Sequence, residues 1–463
     1  MKITNYYKTI LNLIIEKSLG PTFAARTLFI YSSILYNGYG YIETIKNTDN
    51  FNNVTKLELE LEDKEKYYYI LHIGLLGISL LNSTFNSKTL YEFIVEQSDI
   101  LLGDKDYIAF KDKFSKEIVQ IENELNQYYI LREQDGWKDS NEQISLPNGK
   151  FEVIPNEEQD FSKIDIAKWC PLKGQKMLGA KWGHVKGLIP HKIFEQLENC
   201  VIIENSKIDF TKEYLDVLEL SKNLTDEQKM LAEFWAGIGG SITPPGFFNY
   251  FLICYCENNK IDYYQQILFL HMLNCGLFQA SIIIWSTKYK MLEARPIQVI
   301  RGLNMYEEID YYFGESNTNL WLPYQEKRLI TPPFPDCPSG HSTFSSTAAT
   351  ILTSLLGSNL EDLNIIMPGQ ELYKLSPIFP RDYDVNCNLT NIKIPMNCSK
   401  IQQNIPTKPI NILFKNWEEL AQSAGVSRLY GGIHHQSSNK IGLDLGKEIG
   451  KLIVEMFSIQ CEH

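Results

Sequence analysis

The stretch FPDCPSGHSTF, residues 334–344, decides how this chain is read. Pro338 cannot sit inside a helix, Ser339 and Ser342 are good N-cap residues, and the run from Thr343 to Leu356 is uncharged and rich in helix formers. The pattern predicts a helix N-terminus at Ser339, Gly340 and His341. Free backbone N–H groups and the positive end of the helix dipole collect at such a terminus, and a glycine lets an anion approach the backbone. A histidine added there suggests chemistry on an anion. Pro-Ser-Gly is also an ordinary turn and cap, so the tetrapeptide alone leaves both readings open.

Charged residues elsewhere bear on the choice. Upstream stands WSTKYKMLEARPIQVIR, residues 285–301, in which Lys288 and Arg295 are seven residues apart. On a continuous helix that is two turns, so both would project from one face, with Pro296 ending or kinking the helix. Such a pair is commonly a solvated stripe. Here it closes a long uncharged run that reads as buried, where unpaired cations are costly and an anionic partner would offset the cost. Downstream stands GVSRLYGGIHHQSSNKIGLDLG, residues 425–446. Arg428 can fork two hydrogen bonds onto an oxyanion, and the break at Gly431 and Gly432 allows a turn that returns His434 to the same place. The competing reading is a helix cap followed by two surface histidines.

At 463 residues, 44% hydrophobic and 22% charged, the chain has a globular composition and can bury a large core. Its formal net charge of -12 argues against broad nucleic-acid or anionic-membrane binding, so any anion site must be a local cluster of Lys and Arg. The nine cysteines show no paired zinc spacing, and MKITNYYKTILNLIIEKSLG reads as an amphipathic helix, not a signal peptide. A cytoplasmic or otherwise intracellular setting with reduced thiols is the expectation. Tyr67 to Ser87 and Tyr263 to Thr287 are long enough to span a membrane, but His72 and Asn82 interrupt the first and His271, Asn274, Gln279 and Ser281 the second. Both read as core helices of a helical domain, and no membrane span is expected.

The expected fold is mostly α. Residues 1–225 form an N-terminal helical region with an irregular segment at 134–190, in which short β-like pieces such as FEVIP alternate with Gly, Pro and Trp. Residues 226–463 form a second helical bundle, with helix in DEQKMLAEFWAGI, a break at SITPPGFFNY and one long helical run from Phe247 to about Leu292. A loop-rich insertion spans Gly357 to Pro409, and a last helical pair begins at Ile410. DKDYIAFKDKFSKEIVQIENELNQYYILRE, residues 104–133, reads as one charged amphipathic helix.

Taken together, K-x6-R-P, then P-S-G-H, then S-R-x5-H resembles the signature shared by vanadium-dependent haloperoxidases and type 2 phosphatidic acid phosphatases. The matching residues are Lys288, Arg295, Pro296; Pro338, Ser339, Gly340, His341; and Ser427, Arg428, His434. The resemblance covers roughly residues 230–455 and leans to the haloperoxidase-like branch, through TPPGFFNY, RLYGGIH and GPTFAARTLFIYSS. It implies a helical bundle of the vanadium haloperoxidase and acid phosphatase type. It also implies a pocket for vanadate, which phosphate can occupy, held by Lys288, Arg295, Ser339, Gly340 and Arg428, with His434 apical as the metal ligand and His341 as acid or base. Trp285 and Phe334 match the positions at which chloroperoxidases of this family carry Trp and Phe beside the vanadate, the halide side.

The implied activity is oxidation of halide to hypohalous acid by hydrogen peroxide, with Lys288 polarising the peroxide. The alternatives are a metal-independent acid phosphatase acting on a phosphomonoester, with His434 as nucleophile and His341 as general acid, and a non-catalytic member of the fold. The family leaves a homodimer open, and no nucleic-acid partner is expected. One departure stands out: the family commonly has an Asp four residues after the apical histidine, and here that position is Ser438, after an unusual His435. A hydroxyl cannot balance an imidazolium as a carboxylate would, so phosphoryl transfer through His434 is expected to suffer more than vanadate binding. Cys337 reads as a small buried apolar residue, and His435 as either a supporting donor or an exposed side chain.

Overall fold

The computed structural model describes residues 2–41, 61–146, 165–172, 174–302 and 321–461. Its centre is a helix that is apolar on every side, α11 (Tyr263–Met291), and such a helix must be buried all round. α2 (Pro21–Tyr39) packs along one flank and α13 (Gly340–Leu356) along another. The helices Asp63–Phe85 (α3) and α11 are long and apolar enough to cross a membrane; within an apolar 18-residue window of each, 56% of the first and 89% of the second lie buried inside the protein. Several polar groups within α11 find partners there. Asn274 and Asn249 exchange hydrogen bonds at 2.8 and 2.9 Å, Gln279 accepts from the Leu188 and Ile189 amides, and Ser281 accepts from the Trp182 indole.

α13 is held in turn by α14 (Trp417–Tyr430) and α15 (Gln436–Cys461). The α13–α15 contact depends on Gly442, Gly446 and Gly450, spaced four apart on one face of α15. A Cβ at Gly446 would lie 2.4 Å from the Thr343 carbonyl oxygen, and one at Gly442 2.8 Å from that of Ser339. Any side chain there would push the start of α15, and His434 just before it, away from the start of α13.

Several boundaries differ from the sequence reading. The run from Phe247 to Leu292 is two helices, α10 (Thr243–Asn258) and α11, with Asp262 capping the second through the Gln265 amide. TPPGFF is not a break, because Pro244 and Pro245 sit in the first turn of α10, where a missing N–H costs nothing. After α4 (Lys88–Gly103), residues 104–133 form α5 (Lys105–Lys113) and α6 (Ser115–Arg132), parted at Phe114. Two further helices, α7 (His191–Asn205) and α8 (Phe210–Lys222), precede α9 (Asp226–Phe234). The insertion at 357–409 is more than loop: β1 (Ile366–Met367), β2 (Cys387–Asn388) and β3 (Asn391–Ile394) join β4 (Ile410–Leu413) in an antiparallel sheet of order β1-β2-β3-β4. Ile392 faces Ile412 and Ile394 faces Ile410, which turns the isoleucines of β3 inward and Lys393 outward. Thus the last helical pair starts at Trp417, not Ile410. FEVIP lies outside the described residues.

One hydrophobic cluster runs from Ile3 and Tyr7 of α1 (Ile3–Glu16), through α2 and α11, to Ile449 and Phe457 of α15. Helices on either side of residue 225 share it.

Candidate active site

Ser339 caps α13: it has extended backbone and its hydroxyl accepts from the Ser342 amide, so the helix starts at Gly340. Ser342 Oγ lies 2.8 Å from Ser339 Oγ and 2.7 Å from Asn439 Oδ1, tying the cap to α15. His341 stands in the first turn. Its Nε2 is 2.8 Å from the Trp235 carbonyl oxygen, which can only accept, so Nε2 carries the proton and Nδ1 is the ring's acceptor. Burial, then the charge of Arg428, pushes this imidazole well below its ordinary pKa.

Lys288 and Arg295 reach the site differently from the two-turn spacing first suggested. α11 stops at Met291, Leu292 takes a left-handed conformation (φ 53°), and Arg295 lies beyond the helix, directly before Pro296 of α12 (Pro296–Gly302). Their convergence is made by that turn. Lys288 Nζ donates to the carbonyls of Pro335, at 3.0 Å, and of Asp336. Arg295 donates from Nε to the Phe334 carbonyl and from Nη1 to the Ile433 carbonyl, at 2.9 and 2.7 Å. Arg428, in the last turn of α14, donates to Ser427 Oγ and to the Ala232 carbonyl. All three cations are fully buried. Among the described residues none has a carboxylate within ion-pair distance, and Arg295 Nη2 has no partner at all. Burial, reinforced by Arg295, drives the Lys288 ammonium well below its usual range, and burial lowers Arg428 to about 9. These side chains are short of negative charge.

His434 completes the cluster. Arg295 Nη1 lies over the ring, 3.2 Å from Nε2 and 3.5 Å from Nδ1, so the tautomer is set on the other side: Nδ1 faces a carboxylate, which accepts, and the neutral ring therefore carries its proton on Nδ1 and leaves Nε2 unprotonated. That Nδ1 points at Asp336 Oδ1, 2.5 Å away, with Ser438 Oγ at 3.2 Å. Burial, opposed by Asp336 and reinforced by Arg295, holds His434 down to about 3, so the carboxylate is the charged member of the pair. The concern raised by Ser438 is corrected here: His434 does have a carboxylate, supplied from another segment.

His435 is neither exposed nor a surface residue. It lies fully buried between Glu213 of α8, 3.0 Å from Nδ1, and Glu293, 2.5 Å from Nε2. Burial works against charge, but Glu293 and the hydrogen bonds to both carboxylates outweigh it and lift this imidazole to about 10. Cys337 is buried and forms no disulfide.

A cavity of about 350 Å³ opens over these groups, lined among others by Trp285, Phe334, Gly340, His341, Arg428 and His434. Lys288, Arg295 and Ser339 are buried next to residues that line it. The Trp285 and Phe334 rings are 4.9 Å apart, and the Phe334 face covers Lys288 at 5.3 Å and Arg295 at 5.1 Å. All nine site residues named from the sequence therefore meet in one place. Asp336, Glu213 and Glu293 escaped that reading. Asp336 could have been noticed as an acid inside the opening motif, whereas nothing local marks Glu213.

The fold and the site together define a helical-bundle protein with a buried, cationic pocket. The model of the VCPO second helical-bundle domain matches residues 268–462. Among solved structures, a bacterial vanadium-dependent iodoperoxidase is similar at 17% identity with a TM-score of 0.68, over 98% of this chain and 95% of that one. A bacterial vanadium-dependent chloroperoxidase is similar in its holo form at 16% identity and a TM-score of 0.63, over 96% of this chain and 94% of that one. Its apo form is similar at 15% identity and a TM-score of 0.60, over 96% of each chain. No curated protein matches the sequence significantly. Both kinds of match fall on the haloperoxidase-like branch of the superfamily that the three sequence segments resemble: the chain has the fold of the vanadium-dependent haloperoxidases.

Proposed function

We propose that this protein is an oxyanion-dependent enzyme of haloperoxidase type, binding vanadate and using hydrogen peroxide to oxidise halide. The observation that carries the reading is the gathering of three buried cationic side chains, none opposite a carboxylate among the described residues, around an imidazole whose Nδ1 faces Asp336 and whose Nε2 is free of its proton. A tetrahedral oxyanion fits that donor set: Lys288, Arg295 and Arg428 would neutralise it, with the unpartnered Arg295 Nη2 as a ready donor. Ser339 and the Gly340 amide at the start of α13 would hydrogen-bond its oxygens, and His434 Nε2 would be the ligand from the protein. Bound vanadate would supply Lewis acidity toward hydrogen peroxide. His341, with Nδ1 unprotonated, is the group able to accept a proton at the cavity side, and Trp285 and Phe334 form the apolar wall on the halide side.

A second reading, phosphomonoester hydrolysis with His434 as nucleophile and His341 as general acid, gains from the Asp336 contact, which provides the negative charge that an imidazolium intermediate requires. One preparation separates the two. Apo protein is assayed on a chromogenic phosphomonoester, and vanadate-loaded protein is assayed for bromination, chlorination and iodination with hydrogen peroxide, with His434→Ala as control. Halogenation that requires both vanadate and His434 is the expected result. Phosphatase turnover alone would favour the second reading, and silence in both with no vanadate bound would mark a non-catalytic member of the fold.

A further inference from the structure

We infer that Asp336 is the positioning residue of His434, replacing from the segment before α13 the carboxylate that the family pattern places four residues after the histidine. The inference rests on the oxyanion-site reading above, but its structural half stands without it. Three observations carry it. First, the only carboxylate in hydrogen-bond contact with His434 among the described residues is Asp336, at 2.5 Å from Nδ1, and the position four residues on is Ser438, whose hydroxyl lies at 3.2 Å. Second, residue 336 is pinned on both sides: its amide donates to the Glu293 carbonyl at 3.0 Å, and its carbonyl accepts from Lys288 Nζ. Third, the carboxylate is wholly buried, and its other oxygen, Oδ2, has no hydrogen-bond partner among the described residues, so its main polar commitment is to the imidazole.

The consequence is chemical. A carboxylate that accepts a hydrogen bond from Nδ1–H fixes the tautomer, turns the Nε2 lone pair toward the pocket and raises its donor strength, as outer partners of ligating histidines generally do. It also makes the stretch 336–341 a single unit that supplies the histidine's partner, the helix cap, the free amide and the second histidine. An anion held by Lys288 and one held by His434 would then be coupled through one residue's backbone and side chain.

The test compares the full-length protein with Asp336→Ala and with the double variant Asp336→Ala/Ser438→Asp, which returns a carboxylate to the position within reach of Nδ1 on α15. Two quantities are read. One is the strongly deshielded His434 Nδ1–H resonance by NMR of the protein without vanadate. The other is the equilibrium affinity for vanadate, and separately for inorganic phosphate, by calorimetry on samples shown by circular dichroism to be folded. Asp336→Ala is expected to lose the resonance and to bind vanadate about 10–100-fold more weakly, the usual scale for loss of an outer partner of a ligand. The double variant should recover both.

A merely structural Asp336 would lower the melting temperature and leave the vanadate affinity of folded protein unchanged, which would overturn the inference. Should Asp336→Ala fail to fold, the double variant decides: restored resonance and affinity support the inference, and their absence in a folded sample overturns it. If the parent protein binds neither anion, the proposed function fails, while the NMR comparison still decides whether Asp336 sets the state of His434.

Discussion

Lys288, Arg295 and Arg428 direct the hydrogen bonds they make at neutral groups, chiefly backbone carbonyls, and so leave three cationic side chains buried close together without a compensating charge. A hydrogen bond from a charged donor contributes about 1.5–3 kcal/mol, while removing an ion from water costs several kcal/mol even after relaxation, so the carbonyls do not fully offset the burial. An oxyanion would. Binding to the folded state alone should raise stability by about 2.7 kcal/mol at a hundredfold excess over Kd. Scanning calorimetry is therefore expected to show the melting temperature rising with phosphate, and more with vanadate, beyond any rise in chloride of equal ionic strength. In Arg428→Met the anion-dependent rise should vanish while the protein still melts cooperatively. An undiminished rise in that variant would place the anion elsewhere.

The element that holds the aromatic side of the pocket is the irregular segment between α6 and α7, which the sequence marked only by its Trp, Gly and Pro texture. Its backbone straps the end of α11: the Trp169 amide donates to the Leu292 carbonyl, Gln298 accepts from the Cys170 amide, and the Leu178 carbonyl receives the Trp285 indole N–H at 3.1 Å. Gly179 is the close point. Its φ is +69°, and a Cβ there would fall 2.6 Å from Trp285 Cδ1. Gly179→Ala is thus expected to cost about 1–3 kcal/mol in urea unfolding through backbone strain alone, and more through the collision. It should also shift the Trp285 emission, identified by difference against Trp285→Phe. Stability within about 0.5 kcal/mol of the parent, the usual range for a neutral surface change, would show that the strap does not hold the indole.

What was legible at this scale followed from local physics. The start of α13 could be read because Pro338, Ser339 and Gly340 act within one turn, and the cations because buried charge is conspicuous in an apolar run. The end of α11 at Leu292 could not, since a left-handed residue ahead of Pro296 leaves no signature beyond the proline itself. The strands of the insertion are two to four residues long, too short for alternation to register. The Asp336–His434 contact joins residues 98 apart in sequence, and no periodicity encodes such a pair.

At the scale of the whole molecule, the division at residue 225 marks a change in sequence texture without a change of core. Phe29 of α2 stacks on Phe278 of α11 with centroids 4.4 Å apart, and Tyr36 stacks on His271 at the same distance. Arg26 of α2 is buried against Asp135 at 2.9 Å, which ties the first helices to the segment that straps the site. Leu19 and Pro21, at the α1–α2 junction, line the same cavity as His434. Because α11 is apolar all round, removing α2 would expose a face that has no polar side to offer water. The N-terminal helices and the anion-binding bundle are therefore expected to unfold as one unit, although chains of this length often do not. Calorimetry should give a single endotherm. Melting followed by far-UV circular dichroism should coincide with melting followed by tryptophan emission, and added phosphate should move both together. Two separated transitions, with only the later one moved by phosphate, would show that residues 226–463 fold and bind the anion independently of the first 225.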